Sequence, residues 1–108
     1  MSEDKEFLIV LNTCPGSITA KQIAQDLVAN SHAACVNIIP GIQSVFKWGN
    51  QVKNETEYLL VIKTTRDKYP VVEKRIRALH PYELPEVIAV PITEGLDGYL
   101  SWINQVIN

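Results

Sequence analysis

The chain has 108 residues, 46% of them hydrophobic and 20% charged, which is typical of one globular domain. Its net charge of -2 gives no electrostatic reason to expect a nucleic acid or an anionic membrane as partner, and no apolar run reaches the ~18 residues of a membrane span. The charged start Met1–Glu6 does not resemble a signal peptide, and two cysteines indicate free thiols in a reducing cytoplasm. We therefore expect one cytoplasmic domain over 1–108, ordered from about residue 5.

The chain begins with a predicted strand and helix. Phe7–Leu11 is a continuous apolar run, typical of a buried strand. Apolar residues at helical spacing then predict a helix that Ser17 or Thr19 caps and that ends near residues 30–31. The apolar stripe of this helix consists of Ala20, Ile23, Ala24, Leu27 and Val28.

A long hairpin follows. Its first arm starts at Ala33, bends or bulges at Pro40–Gly41 and continues to Trp48. Gly49–Asn50 suits a two-residue turn, and the return arm runs over about 52–64. Each arm is roughly twice the usual strand length of ~5–6 residues.

The length of this hairpin predicts an oligomer. A domain of this size cannot cover such arms with its own helices, so Phe46 and Trp48 would project apolar surface into water. Surface of that kind usually marks an interface. The alternative is a twisted hairpin that folds back over its own sheet.

The second half predicts two more helices and one strand. Thr65–Asp67 and Pro70 suit the start of a helix that ends before Pro81. Val87–Val90 is then expected to be a short buried strand, and Asp97 to open a last helix. The element order predicts an α+β, ferredoxin-like βαββαβ sandwich: an antiparallel four-stranded sheet with both main helices on one face, an extended hairpin of the second and third strands, and a C-terminal helix.

The segment from His80 to Glu86 is the stretch most suited to a site. Its two prolines exclude a helix or a central strand, so an imidazole, a phenol and two carboxylates lie on a stiff extended segment. In that geometry His80 and Glu86 share one side and Glu83 lies on the other. Three roles remain open: a structural role at a subunit cleft, a small-ligand or anion cleft, and a metal site that neighbouring subunits complete.

Several separated blocks of the chain carry a family resemblance: Ala33–Ile38, Gly41–Trp48, Leu59–Thr64, His80–Glu86 and Tyr99–Trp102. Together they resemble the CutA divalent-cation tolerance proteins. The resemblance implies a ferredoxin-like fold, a tight homotrimer similar to the PII signalling proteins, and a role in metal tolerance with copper binding. It implies no catalytic reaction, so we expect no enzyme. Two departures are the turn order Gly49–Asn50 and the loop cysteine at Cys14, since some members place that cysteine where this chain has Asn12.

Copper(I) favours thiolates, whereas copper(II) favours imidazole and carboxylate ligands. Cys14 is expected in a loop beside a helix start, where the helix dipole favours its thiolate. Cys35 is expected to be a buried core residue, and His32 to be a surface residue near a helix end. The predicted metal ligands are Cys14, His80, Glu83 and Glu86; the predicted cleft or structural residues are Cys35, Trp48, Lys63 and Tyr82.

Two hypotheses of function follow. The first is a cytoplasmic homotrimer that binds copper or another divalent cation weakly and takes part in the response to metal ions. The second is a PII-like trimeric sensor or scaffold that holds a small ligand or partner between subunits, with incidental metal binding. A hydrolase using the segment from His80 to Glu86 is a third reading with less support, and the acidic balance opposes RNA recognition.

Overall fold

The structure, a computed structural model, describes residues 6–108. Within these residues the chain forms four strands and three α-helices, in the predicted order. They are β1 (Phe7–Cys14), α1 (Ser17–Ala29), β2 (Cys35–Trp48), β3 (Gln51–Thr65), α2 (Tyr69–Leu79), β4 (Val87–Pro91) and α3 (Asp97–Ile107). A short 3-10 turn at Arg66–Lys68 leads into α2. The expected start of order near residue 5 lies outside the described residues.

The four strands form one antiparallel sheet in the order β2-β3-β1-β4, which confirms the predicted α+β architecture. Val10 lies opposite Ile62 on one side and Ala89 on the other. Both main helices contribute to the core on this face of the sheet. The central cluster comprises Val10, Cys14, Ala20, Ile23, Leu27, Ala33, Leu60, Ile62, Val72 and Ile76.

Helix α3 packs in a second, smaller cluster, with Ala34, Ile103 and Ile107 buried and Phe7 beside them. Phe7 is an odd number of residues from Val10 along β1, and successive side chains of a strand alternate between faces. Helix α3 therefore covers the opposite face at the end of the sheet where β1 begins. None of the helices described is both long and apolar enough to cross a membrane.

The prediction that Ser17 or Thr19 caps α1 is wrong. The N-cap is Gly16, with no side-chain hydrogen bond, and Ser17 is already the first helical residue. The predicted stripe is otherwise correct, except that Val28 is exposed. Asp26 on α1 and Arg75 on α2 form a two-bond ion pair at 3.0 and 3.1 Å, which fixes the spacing of the two helices.

The hairpin of β2 and β3 extends far beyond the rest of the sheet. Its arms have 14 and 15 residues, and the molecule measures 48 × 25 × 22 Å. A β-bulge places Pro40 and Gly41 opposite the single residue Tyr58, as the sequence predicts, and Gly41 has a φ of 77°. Cys14 and Tyr58 form the last pair of β1 and β3, so beyond this point β2 and β3 pair only with each other.

We call this two-stranded extension, residues 42–57, the ribbon. Its register places Phe46 and Trp48 on one face and Val45 and Val52 on the other, and all four are exposed. An isolated two-stranded hairpin is marginally stable in water. The ribbon therefore has apolar surface on both faces that the described residues of its own chain leave exposed, and only Glu57 at its base is buried.

The prediction that β4 is buried is wrong for the single chain. Val87 is half-buried, but Ile88 and Val90 are 53% and 45% exposed. The reason is position: β4 is an edge strand that pairs only with β1, and α3 packs towards Ala34 and β3 on that sheet face instead of over β4. This strand adds a second area of exposed apolar surface.

Candidate functional site

The segment from His80 to Glu86 connects α2 to β4 and forms neither helix nor strand, as its prolines predict. His80 is buried at its first position and anchors it to β1. The backbone N–H of Tyr82 donates to His80 Nδ1 at 3.1 Å, so Nδ1 carries no proton. Nε2 must then carry the proton, and it donates to the Thr13 carbonyl oxygen at 2.7 Å. Both ring nitrogens are therefore occupied.

Tyr82 connects the same segment to β3. Its hydroxyl donates to Glu57 Oε2 at 2.8 Å, and the rings of His80 and Tyr82 lie 4.7 Å apart. Glu57 is only 5% exposed, so this hydrogen bond satisfies a buried carboxylate. Burial, and then the hydrogen bond and charge of Glu57, raise the pKa of Tyr82 to about 12.

We expect the Tyr82–Glu57 pair to be coupled in stability. Tyr82→Phe should cost about 1 kcal/mol of unfolding free energy, less than the usual value for a bond to a charged group because Tyr82 is 38% exposed. The Tyr82→Phe, Glu57→Gln double variant should lose less unfolding free energy than the sum of the losses in the two single variants. Urea unfolding of the two single variants and the double variant measures this, and strict additivity would contradict the coupling.

The same bond predicts a pH dependence. A phenol whose folded pKa is raised stabilises the fold fully below the unfolded pKa, near 10, and this contribution disappears as the pH rises towards about 12. Unfolding measured across that window should therefore show a steeper loss of stability in the wild type than in Tyr82→Phe. Equal slopes would show that Tyr82 releases its proton as readily as in the unfolded chain.

The expectation that Cys14 lies in a loop and has an activated thiolate is wrong. It is the last residue of β1 and is fully buried. Burial, followed by the nearby charge of Glu57, raises the pKa of its thiol to about 11. Its Sγ lies 3.3 Å from Asn12 Oδ1, and Asn12 Nδ2 donates to the Glu86 backbone oxygen at 2.9 Å. Cys14 is therefore a protonated core thiol in a network that holds the segment.

The two remaining predicted ligands are exposed. Glu83 and Glu86 present their carboxylates to solvent on the segment. Glu83 also borders an open groove of about 510 Å³ between the segment and α2, together with Tyr82, Lys74 and Arg77. The structure thus brings Cys14 and His80 to the end of β1 but leaves the carboxylates outside. No group of three metal-binding side chains is found among residues 6–108.

The other predicted site residues lie elsewhere. Trp48 is at the ribbon tip and is 55% exposed. Cys35 begins β2 and is half-buried, so the expectation of a buried core thiol is wrong, and Lys63 is its cross-strand neighbour. His32 follows α1 as predicted, but it is half-buried, and its Nδ1 is enclosed without a hydrogen bond.

Two residues of this site, Glu57 and Asn12, were not predicted from the sequence. Glu57 stands in a polar stretch of the ribbon that includes Glu55, and nothing in the pattern distinguishes the buried carboxylate from the exposed one. Asn12 stands at a position already noted as a departure from the family, and that departure was the available signal.

Comparisons with known proteins agree with this architecture. The sequence model of the CutA1 divalent ion tolerance protein family matches residues 8–106. The divalent-cation tolerance protein CutA of Thermus thermophilus is 44% identical over 97 residues, which cover 90% of this chain and 94% of that protein. The CutA homolog of Xenopus laevis is 43% identical over 95 residues, or 88% of this chain, but the chain spans only 63% of that protein.

A solved structure gives the same result in three dimensions. The crystal structure of CutA from Xylella fastidiosa superposes with a TM-score of 0.92 at 39% identity, covering 94% of this chain and 98% of that one. The region that matches the family model includes β1 from its second residue, the other three strands with the ribbon, and the segment from His80 to Glu86. The chain belongs to the CutA1 family of divalent ion tolerance proteins.

Proposed function

We propose that this protein is a cytoplasmic homotrimer with a ferredoxin-like fold that takes part in the response to divalent metal ions and binds copper or a similar cation weakly. The observation that carries the proposal is the family match over residues 8–106. The strand order β2-β3-β1-β4, with two helices on one face, is the order expected of two interlocked βαβ units.

The trimer is supported by surface that the single chain leaves uncovered. The ribbon exposes apolar side chains on both faces, and β4 exposes Ile88 and Val90 at an edge of the sheet. A trimer in which each ribbon lies across a neighbour would cover these surfaces together. Light scattering should give a mass of three chains at micromolar concentration; a folded single chain would contradict the trimer.

Within such a trimer, the exposed carboxylates Glu83 and Glu86 are the donors of the segment that are available to a cation. Cys14 is buried and protonated, and both His80 nitrogens are occupied. Two carboxylates do not fill the coordination positions of a cation, so a neighbouring subunit or water must supply the other ligands. Binding at such a site is expected to be weak. Cys14 and His80 would then affect the metal affinity only by holding the segment in place.

We therefore expect the Glu83→Gln, Glu86→Gln double variant to bind copper(II) about tenfold more weakly than the wild type. Calorimetric titration of the assembled protein measures this. Cys14→Ser and the exposed control Glu94→Gln should titrate like the wild type. Unchanged affinity in the double variant would remove the carboxylates from the proposal, and a loss in Cys14→Ser alone would return the thiol to it.

The second candidate function is a PII-like sensor or scaffold with incidental metal binding. It is favoured by the open groove between α2 and the segment, which presents Lys74, Arg77 and Glu83 around the partly exposed Tyr82. That mixture of charges suits a small zwitterionic or anionic ligand. A thermal-shift screen of metabolites tests it, since a compound that stabilises the wild type but not Arg77→Ala would support the groove.

We further propose that the protein is not an enzyme and binds neither nucleic acid nor membrane. The support is chemical. The buried Cys14 thiol is protonated, and His80 is fixed by two hydrogen bonds, so neither group is free to act as a nucleophile or base. Substrate turnover that depends on Glu83 or Glu86 would overturn this view.

A further inference from the structure

A second group of reactive side chains lies where β2 begins, away from the segment from His80 to Glu86. Cys35 and Lys63 are direct cross-strand neighbours on β2 and β3. Lys63 Nζ lies 3.9 Å from Cys35 Sγ and also donates to Asn37 Oδ1. Cys35 and Lys63 are both half-buried rather than enclosed. A thiol and an amine are therefore held in contact, within reach of small solutes.

A third side chain, Tyr99 on α3, lies beside the sulfur. Burial, followed by the charge and hydrogen bond of Cys35, raises the pKa of this phenol. The amine of Lys63 lies beside this half-buried sulfur. Cys14 is fully buried instead, with Glu57 nearby. Of the two cysteines, Cys35 is therefore the one that a small solute can reach and that has an amine beside it.

We propose that Cys35 and Lys63 form an oxidation-dependent covalent cross-link between β2 and β3, with hydrogen peroxide as the oxidant. The Cys35 thiolate attacks the O–O bond of the peroxide, an S–O bond forms, and hydroxide leaves, which gives a sulfenic acid. Lys63 then loses one proton to solvent and its nitrogen attacks the sulfur. The S–O bond breaks, water leaves after taking a second proton from the nitrogen, and an S–N bond remains.

Apart from the peroxide, the two steps use only the sulfur of Cys35, the nitrogen of Lys63 and solvent. The flexible lysine side chain can move its nitrogen from 3.9 Å to bonding distance by rotation, because its cross-strand position is already fixed. The product removes the charge of Lys63 and joins the two arms at the base of the hairpin. A thiol reductant would reverse it, since the S–N bond of a sulfenamide is open to attack by thiolate.

Intact mass spectrometry of the peroxide-treated, assembled Cys14→Ser protein tests the cross-link. This variant has one thiol per chain, so it cannot form a disulfide within the chain. We expect a product lighter by about 2 Da, from the loss of two hydrogens, that returns to the starting mass with a thiol reductant. Peptide mapping of the treated wild type should show residues 35 and 63 on joined peptides.

Two lysine variants make the test specific. Lys63→Arg keeps the positive charge but offers a poor nucleophile, so oxidation should stop at products about 16 Da heavier or beyond. Lys53→Arg, on the ribbon, should cross-link like its parent. The proposal is overturned if Lys63→Arg still gives the lighter reducible product, or if the wild type gives only sulfur oxides or disulfide-linked chains.

Discussion

Trp48→Glu should convert the proposed trimer into a folded single chain. Trp48 is exposed at the tip of the ribbon, on the same face as Phe46. Large aromatic side chains at the centre of an interface each contribute on the order of 2 kcal/mol or more to assembly, and the proposed trimer would lose this once per subunit. A buried glutamate without a cation adds a desolvation cost. Together these losses of assembly free energy should make the subunits dissociate at micromolar protein concentration.

Light scattering and sedimentation measure the mass, and circular dichroism shows whether the variant is folded. Asn54→Glu is the matched control, because it adds the same charge to an exposed position of the ribbon without removing apolar surface. Val45→Glu tests the other face, and we expect partial dissociation from it. If Trp48→Glu keeps the mass of the wild type, the ribbon tip is not the surface that joins the subunits.

The fold was predictable because the patterns that determine it are local. The continuous apolar run of β1, the turn at Gly49–Asn50 and the bulge at Pro40–Gly41 each depend on a few neighbouring residues. The errors have a shared cause. The exposure of β4 and the burial of Cys14 depend on which elements pack beside them, and residues distant in sequence determine that.

The candidate site was predictable only in part for the same reason. Two prolines within the segment, Pro81 and Pro85, predict its extended course. Its chemistry depends on contacts between residues that are far apart in the sequence. Tyr82 and Glu57 are 25 residues apart, and His80 and Thr13 are 67 apart. These contacts give both nitrogens of the His80 imidazole a hydrogen-bond partner within the protein.

His80→Ala should lower the free energy of unfolding by about 3 kcal/mol. The substitution removes both ring hydrogen bonds, leaves the buried Thr13 carbonyl without this partner, and opens a cavity where the ring contacts Tyr82. Denaturant unfolding measures the loss. Glu83→Gln, an exposed change three residues along the same segment, should alter stability by less than about 0.5 kcal/mol.

The copper affinity of folded His80→Ala separates the structural role of this histidine from a ligand role. A metal bound at Nδ1 would displace the Tyr82 N–H, and a metal bound at Nε2 would displace both a proton and the Thr13 carbonyl. Either event would cost the hydrogen bond that fixes the segment. We therefore expect affinity within about twofold of the wild type, at a temperature where the variant remains folded. A folded variant that no longer binds copper would show that the ring leaves Thr13 to take the metal.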